Sequence, residues 1–287
     1  MNNRAVQFSR RALLVGGAGA FLAGCTSRSD QSGSTTPAAS PTSSSSTPPP
    51  LSVPPVPTAE EVAARFAGQT PTKWGTDVPG VVNTIENPTS NYDVALTFDA
   101  CGGKGGAGVD EDLLATLEKH QIPATLFLNQ RWIDANRKRA EELAHNPLYE
   151  IGNHGTTHLP LSVNGRAAYK IDGTPDTRAA AEEVRGNHIV LTELLGHPPR
   201  WFRSGTAHYD EIAAQIVAAY GEKIGGFSVN GDAGATFPAN TVAKEIGRAQ
   251  HGDIVICHFN QPGSGTAPGL AQAIPELKNR GARFVHL

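Results

Sequence analysis

Two histidines separated by three residues are the clearest chemical signal in the sequence. His154 and His158 flank Gly-Thr-Thr, and this spacing lets two imidazoles from a short stretch of chain reach one cation. Because the chain contains ten histidines, such a pair can also arise by chance, and hydrogen-bonded loop histidines are the alternative interpretation. No glutamate follows His154, so the H-E-x-x-H motif of zinc proteases is absent and a base must come from elsewhere.

Asp99 is the candidate for that base. It closes the apolar run Val94 to Phe98, so its carboxylate is expected to be desolvated on one side, which suits a functional role; capping of the following loop is the alternative. Arg203 closes another apolar run and is a candidate for holding a carboxylate ionised and oriented, although surface arginines outnumber catalytic ones.

A second pair of candidates lies nearer the carboxyl terminus. His258 ends the run Ile254-Val-Ile-Cys-His258 and suits a general acid, or else a buried histidine whose hydrogen bonds are simply satisfied. Asp232 is a candidate for orienting His258, or else for capping a turn in Asn230-Gly-Asp-Ala-Gly.

Strand-length apolar runs that alternate with helical stretches must position these residues. The predicted strands are Tyr92–Asp99, Ala124–Leu128, Tyr149–Gly152, Arg200–Arg203, Ile224–Val229, Ile254–His258 and Arg283–Leu287. The predicted helices are Asp110–His120, Ile133–His145, Arg178–Leu195, Tyr209–Tyr220, Asn240–Gln250 and Gly269–Arg280. Strict alternation implies a parallel sheet, either open and doubly wound or closed, and seven units favour a barrel-like closure.

In such folds the chemistry lies at the carboxyl ends of the strands, where the loops converge. Asp99 ends the first run, His154 follows the third, Arg203 ends the fourth, Asp232 follows the fifth and His258 ends the sixth. Five polar residues scattered along the chain are therefore expected to share one rim. That placement favours the metal interpretation of the histidine pair.

Together these segments resemble the polysaccharide deacetylases with a NodB homology domain. The segments that carry the resemblance are Thr97-Phe-Asp99, Ile151 to His158, Trp201-Phe-Arg203, Asp232 and Ile254 to His258, and it spans about two-thirds of the chain. The resemblance implies an α/β fold, a distorted (β/α)7 barrel of the NodB homology type, over residues 92–287. It also implies a hydrolase that acts on carbon–nitrogen bonds other than peptide bonds and removes acetyl groups from a polysaccharide.

The resemblance assigns roles to the rim residues. Asp99 would be the base and His258 the acid, while Arg203 would position Asp99 and Asp232 would support His258. The histidine pair at 154 and 158 would bind a divalent metal ion, for which zinc is the expected identity. No organic cofactor is implied.

One departure from the family concerns the metal. Members of the family usually carry a second aspartate directly after the first, and it ligates the ion; this sequence has Ala100 there. Asp110 could be brought back by the glycine-rich loop 102–108, but a helix N-cap is its expected role. Cys101 shares the strand parity of Asp99 and could face the site, although a thiol that is not a ligand is the expected outcome.

Two further expectations follow from the same region of the sequence. Cys257 has the opposite parity to His258, so a disulfide with Cys101 is disfavoured. After Arg203, the stretch Ser204-Gly-Thr-Ala-His-Tyr209 replaces the family's usual proline-aromatic sequence. That region helps to bind the acetyl group in the family, so details of the substrate are expected to differ.

The amino terminus indicates export. Arg10 and Arg11 precede an apolar run, residues 12–24, that is shorter than the roughly 20 residues a spanning helix needs. Ser9 to Leu14 resembles a twin-arginine signal, and Leu22-Ala-Gly-Cys25 resembles the lipobox at which bacterial lipoproteins are cleaved and acylated. We therefore expect an exported protein of the cell envelope, anchored by lipid on Cys25 to the outer face of the membrane.

These signals divide the chain into four segments. Residues 1–25 are the predicted signal, and residues 26–57 form a Ser/Thr/Pro-rich tether whose composition cannot support a packed core. Residues 58–91 are an N-terminal extension that begins with a capping box at Thr58 and Glu61, and residues 92–287 are the catalytic domain.

The charge balance limits the partners. Twenty-four basic and 27 acidic residues give a net charge of -3, so there is no overall basic field to attract nucleic acid, and an acetylated polysaccharide is the expected partner. The main hypothesis is metal-dependent deacetylation of a cell-wall or extracellular polysaccharide, with N-acetyl favoured over O-acetyl groups.

Two other hypotheses belong to different classes. Because Ala100 removes a ligand, the chain could be a non-catalytic carbohydrate-binding lipoprotein that keeps the fold, although a binding surface would not need both Asp99 and His258. A serine hydrolase that uses Ser204 is disfavoured because the G-x-S-x-G elbow is missing.

Overall fold

The computed structural model describes residues 55–287. The predicted signal, most of the predicted tether and the predicted lipid-anchor position, Cys25, lie outside the described residues. The capping box predicted at Thr58 is present, because its hydroxyl accepts from the Glu61 amide while the Glu61 carboxylate accepts from the Thr58 amide. Contact with the rest of the protein already exists at Pro57, whose carbonyl accepts from Arg185 Nε at 2.9 Å.

Strands and helices alternate from residue 93 onward. Within the described residues the strands are β1 Val81–Val82, β2 Asp93–Ala100, β3 Ala124–Leu128, β4 Tyr149–Asn153, β5 Trp201–Phe202, β6 Lys223–Gly225, β7 Val229–Asn230, β8 Ile254–His258 and β9 Arg283–Val285. The helices are α1 Ala59–Arg65, α2 Glu111–His120, α3 Gln130–Ala135, α4 Arg137–Ala144, α5 Thr177–Leu195, α6 Glu211–Ala219, α7 Ala239–Gly247 and α8 Thr266–Asn279.

The strands form one parallel sheet that curls into a half-barrel. Their order is β1-β6-β5-β4-β3-β2-β8-β7, and β9 pairs with the first half of β2. All eight residues of β2 are buried, which fits a central strand covered on both faces. The register places Asp99 of β2 beside His258 of β8, so the first and sixth predicted runs end next to each other.

Two predicted elements are interrupted in the structure. The strand predicted over 224–229 is two short strands, because the Gly226 amide donates to the Val82 carbonyl and the Phe227 amide donates to the Asn83 side chain, which takes the chain out of the ladder. The helix predicted over 133–145 is α3 and α4. Asn136 separates them, with its side-chain amide donating to the Ala107 carbonyl.

Two apolar clusters stabilise the sheet. The larger contains side chains from β2, β3, α2 and α8, including the fully buried Phe98 and Leu117, and the smaller packs α5 and α6 against the β5–β6 edge. Val62 of α1 belongs to the smaller cluster, so the N-terminal extension is joined to the barrel by buried apolar surface. Between residues 55 and 287, no helix combines the length and apolarity that crossing a membrane requires.

Candidate active site

The five polar residues predicted to share a rim lie at the carboxyl ends of neighbouring parallel strands. Asp99 and His258 are register neighbours at the carboxyl ends of β2 and β8. His154 and Arg203 directly follow β4 and β5. Asp232 follows β7. Parallel pairing brings these ends together because every strand points the same way, as the strand alternation predicted.

Arg203 fixes Asp99. Its guanidinium is fully buried and donates from Nη1 to Asp99 Oδ1 at 2.8 Å and to Thr97 Oγ1 at 2.9 Å. The remaining nitrogens donate to the carbonyls of Gly225 and Gly226 at 2.8 and 2.7 Å. A planar fork bonded on every side cannot turn away, so Arg203 holds the carboxylate in one orientation.

The charge state of Asp99 follows from this setting. Burial acts to raise the pKa of its carboxyl, but Arg203, followed by His154 and His258, lowers that pKa below its ordinary value. Asp99 is therefore a buried carboxylate that remains ionised, a state in which it can accept a proton.

His154 presents one ring nitrogen to the rim. Its Nδ1 lies 2.9 Å from the Arg203 carbonyl oxygen, which can only accept, so Nδ1 carries a proton and, in the neutral ring, the lone pair is on Nε2. That Nε2 lies 3.7 Å from Asp99 Oδ2 and 3.8 Å from Cys101 Sγ. A histidine held in this tautomer by a carbonyl is the usual arrangement of a metal ligand.

His158 lies beside it in a constrained loop. The two imidazole rings stand nearly perpendicular at a centroid distance of 4.9 Å, and His158 Nε2 is buried without a hydrogen-bond partner in the described part of the chain. Glu183 holds the loop by accepting from the amides of Thr157 and His158 at 2.9 and 2.8 Å. Gly205 packs so closely that an added Cβ would lie 2.4 Å from the His158 backbone.

Cys101 completes a group of three donor atoms. Its Sγ and one ring nitrogen from each of His154 and His158 all lie within 4.8 Å of one another. Burial acts to raise the pKa of the Cys101 thiol, but the neighbouring imidazoles of His154, His158 and His258 lower it well below its ordinary value. Cys101 faces the site, as its strand parity with Asp99 permitted, while the expectation that its thiol is not a metal ligand stays a prediction.

The other candidate ligand, Asp110, is a helix cap as expected. Its Oδ1 accepts from the Leu113 amide at 3.1 Å, and its own amide donates to the Phe259 carbonyl. It does not belong to the three-donor group. Cys257 is buried and Cys101 is half-buried, and the structure places both as free thiols, in agreement with their opposite strand parity.

His258 is oriented by Asp232. Asp232 Oδ1 accepts from His258 Nδ1 at 2.9 Å, while Oδ2 accepts from the His258 amide at 2.7 Å and from the Thr266 hydroxyl at 3.0 Å. Burial acts to lower the pKa of His258, but the Asp232 hydrogen bond, with a further contribution from Cys101, raises it well above its ordinary value. His258 is thus a proton carrier with its Nδ1 fixed. Nothing in the sequence around Thr266 indicated its part.

A cleft of about 350 Å³ opens beside Asp99 and His258. Gly205 and Thr206, from the stretch that departs from the family, line it together with Tyr169. Ser204 is buried, and its hydroxyl donates to the His208 carbonyl at 3.0 Å, so this serine is not paired with a base that could activate it as a nucleophile.

Comparison with known proteins finds a family match that spans strands β2 to β6. Residues 86–225 match the family model described as polysaccharide deacetylase. The chain is similar to the peptidoglycan-N-acetylglucosamine deacetylase of Bacillus cereus, at 25% identity over 223 residues that cover 76% of this chain and 74% of the relative. It is also similar to the uncharacterized protein YlxY of Bacillus subtilis, at 25% identity over 174 residues, or 60% of this chain; the chain spans about half (49%) of YlxY.

Solved structures agree on the fold. BA3943, a CE4 family pseudoenzyme from Bacillus anthracis, superposes with a TM-score of 0.60 at 20% identity, covering 73% of this chain and 68% of that one. A mutant of BA3943 with restored enzymatic activity also gives a TM-score of 0.60, at 22% identity and 73% and 70% coverage. At these identities the likeness shows the fold alone, and it confirms the predicted distorted barrel.

Proposed function

We propose that the protein is a metal-dependent hydrolase that removes acetyl groups from a cell-wall or extracellular polysaccharide, a proposal supported by the match of residues 86–225 to the family model described as polysaccharide deacetylase. N-acetyl groups are the expected target, in line with the named activity of the Bacillus cereus relative. The observation that carries the proposal is the placement of an ionised Asp99 and an oriented His258 beside one cleft. A surface that only binds sugar has no use for both.

Asp99 is the proposed base. Its carboxylate stays ionised, and Arg203 fixes its orientation, so it can accept the proton of a water molecule that attacks the acetyl carbonyl. Arg203 does not touch the cleft and acts through Asp99, as a positioning residue.

His258 is the proposed acid. With Nδ1 bonded to Asp232, the protonated ring presents Nε2 as its free donor, and that proton can go to the departing amine. Asp232 stabilises the charged ring and prevents it from rotating. The pairing follows the general logic of an aspartate that orients a catalytic histidine.

The residues present fit a divalent cation. His154 has its lone pair on Nε2, and His158 Nε2 is a buried nitrogen that otherwise lacks a partner in the described residues. Together with the Cys101 thiolate they form three nitrogen and sulfur donors, a set that zinc prefers. A zinc ion held there would polarise the acetyl carbonyl and activate water, and zinc is the proposed metal.

Cys101 is thus the proposed third ligand in place of the carboxylate that Ala100 cannot supply. Ala100 is fully buried in the larger apolar cluster. The next residue, Cys101, is the one whose side chain lies at the site, and its donor atom is Sγ. Titration of cobalt(II) into the metal-free full-length chain tests this. A sulfur-to-cobalt charge-transfer band should appear in wild type and vanish in Cys101→Asp, which keeps a ligand, whereas Cys101→Ala should weaken cobalt affinity. A wild-type spectrum without the band would overturn the assignment.

Acetate release tests the activity. The full-length chain, with its metal content measured on the same sample, should release acetate from peptidoglycan or N-acetylglucosamine oligomers and less from acetyl-xylan. Stripping the metal with a chelator should abolish release, and zinc should restore it. Metal-loaded protein that releases no acetate from any of these substrates would contradict the proposal.

The second candidate function is carbohydrate binding without catalysis, and one observation favours it. Ala100 stands where the family has an aspartate, and the solved structures that resemble this chain include a pseudoenzyme. In this case the protein is a carbohydrate-binding lipoprotein. Calorimetry would then show binding of N-acetylglucosamine oligomers by metal-loaded protein that releases no acetate.

The location of the protein is proposed from the sequence alone. The twin-arginine-like motif and the lipobox support export and a lipid anchor at Cys25, with residues 26–57 as a tether long enough to reach wall polymer. Labelling with a fatty-acid analogue tests this: Cys25→Ser should lose the label, and equal labelling of wild type and variant would refute lipidation at Cys25.

A further inference from the structure

The loop between β4 and α5 exposes a large aromatic ring at the edge of the cleft. Tyr169 is 75% exposed, which no other large apolar side chain between residues 55 and 287 matches. The same residue lines the cleft that Asp99 and His258 occupy. A single exposed apolar residue is common on protein surfaces and needs a second observation before it indicates function.

The backbone around Tyr169 supplies that observation. Ala168 and Ile171 exchange both backbone hydrogen bonds, at 3.0 and 2.9 Å, and the two residues between them, Tyr169 and Lys170, have φ values of 50° and 64°. Tight turns with both central residues in the left-handed region usually carry Asn-Gly or Gly-Gly, because other side chains are strained there. Backbone strain that is retained at the edge of a cleft indicates a role for the side chain it presents.

Three segments of the chain meet beside this ring. Tyr169 stands nearly perpendicular to His208 at a centroid distance of 5.2 Å, and His208 lies 5.9 Å from the ring of Trp74. The Arg166 guanidinium lies 5.6 Å from the centre of the Trp74 ring. His208 therefore supports Tyr169 from one side, while the exposure of Tyr169 shows that most of its surface remains open to a ligand.

We propose that Tyr169 forms a sugar-binding subsite, in which its ring stacks on the sugar unit next to the one that is deacetylated. A β-linked hexosamine ring presents a face of C–H groups, which complements the electron-rich face of a tyrosine ring. The cleft, at about 350 Å³, is at the small end of ligand pockets of roughly 300–1,000 Å³ and suits one sugar residue. A longer chain must then leave the cleft across its edge, where Tyr169 lies. The inference rests on the proposed function and makes the substrate a polymer rather than a single sugar.

Chain-length dependence of binding tests the subsite. N-acetylglucosamine monomer and tetramer are titrated by calorimetry into full-length zinc-loaded protein carrying Asp99→Asn, so that the ligand is not consumed. Adding Tyr169→Ala should weaken tetramer binding about tenfold, the loss of one aromatic contact, and leave monomer binding unchanged. Tyr169→Phe keeps the ring and should bind like the parent. Lys170→Ala alters the exposed neighbour in the same turn and is the matched control.

Turnover separates this inference from the proposed function. In otherwise wild-type protein, Tyr169→Ala should raise KM for the tetramer about tenfold with kcat unchanged. Equal tetramer affinity in the parent and Tyr169→Ala would overturn the subsite, whether or not acetate is released. Tyr169-dependent tetramer binding by a protein that releases no acetate would support the subsite and overturn the proposed hydrolysis. Native circular dichroism and metal content of Tyr169→Ala exclude unfolding as the cause of weaker binding.

Discussion

Among the described residues, two polar networks differ in one respect: only one of them reaches the cleft. The rim network consists of Asp99, His154, Arg203, Asp232 and His258. The inner network consists of Asn153, Asn187, His188 and Glu222: Glu222 Oε1 lies 2.7 Å from His188 Nδ1 and accepts from the Asn153 side chain at 3.0 Å, and the Asn187 side chain donates to Asn153 Oδ1 at 2.9 Å. All of these residues are buried except His258, which is partly exposed to the cleft.

Their carboxyl groups have opposite charge behaviour. Arg203 and the neighbouring histidines hold the pKa of Asp99 below its ordinary value, against the effect of burial. In the inner network no guanidinium contacts Glu222, and burial raises its pKa to about 7. Burial alone therefore does not identify a catalytic group. A carboxylate that stays charged in spite of burial, next to a cleft, is the better criterion.

The histidines of the two networks allow the largest contrast. His154→Ala removes a proposed metal ligand and should leave the full-length protein without bound zinc and without acetate release. His188→Ala deletes a buried histidine of similar exposure and should lower the free energy of unfolding while the folded protein keeps its zinc. Elemental analysis and urea unfolding of both variants check this. Zinc retained in His154→Ala but lost in His188→Ala would reverse the roles of the two networks.

His258→Ala should leave the metal in place and slow acetate release by about 10²- to 10⁴-fold, the range for loss of a general acid. Asp232→Asn should cause a smaller loss and should move the alkaline limb of the pH–rate profile to lower pH, because the carboxylate stabilises the charged imidazole. Steady-state rates across pH, with zinc content measured in parallel, check both expectations. An unchanged profile in Asp232→Asn would limit Asp232 to a structural role.

The smallest effect is expected in the inner network. Since the folded-state pKa of Glu222 is about 7, against an ordinary value of 4.5, the folded protein binds more protons than the unfolded chain between these values. Its contribution to stability is therefore greatest below about pH 4.5 and declines as pH rises through 7. Glu222→Gln mimics the protonated form and should be more stable than wild type above pH 7, on the order of 1–3 kcal/mol, with acetate release unchanged. Urea unfolding at pH 5 and pH 8 measures the difference, and an equal or lower stability of the variant at pH 8 would show that Glu222 is ionised without cost.

The sequence predicted the parallel fold and the rim because both follow from periodicity. Apolar runs that alternate with helical stretches determine a parallel sheet, and the carboxyl ends of its strands then coincide, which brings Asp99 and His258 together although they are far apart in the sequence. The break between β6 and β7 was missed because it depends on side-chain and backbone contacts from distant segments, such as Asn83.

The site details that were missed also depend on contacts between distant segments. Parity alone permitted Cys101 to face the site, but its approach to His154 and His158 requires the loop after β4 to fold back, which Glu183 and the close packing of Gly205 bring about. The exposure of Tyr169 was not foreseen because Ala-Tyr-Lys-Ile contains neither Gly nor Asn, the usual residues of a left-handed turn.

Asp99→Asn is the most direct test of the proposed chemistry. The substitution keeps size and removes the charge, so the account predicts that zinc content stays at the wild-type level while acetate release from N-acetylglucosamine oligomers falls by at least about 10²-fold. Elemental analysis and acetate release measured on the same preparations of wild type and variant give both values. Acetate release by Asp99→Asn at the wild-type rate would contradict the account, because the carboxylate that Arg203 orients would then not be the base.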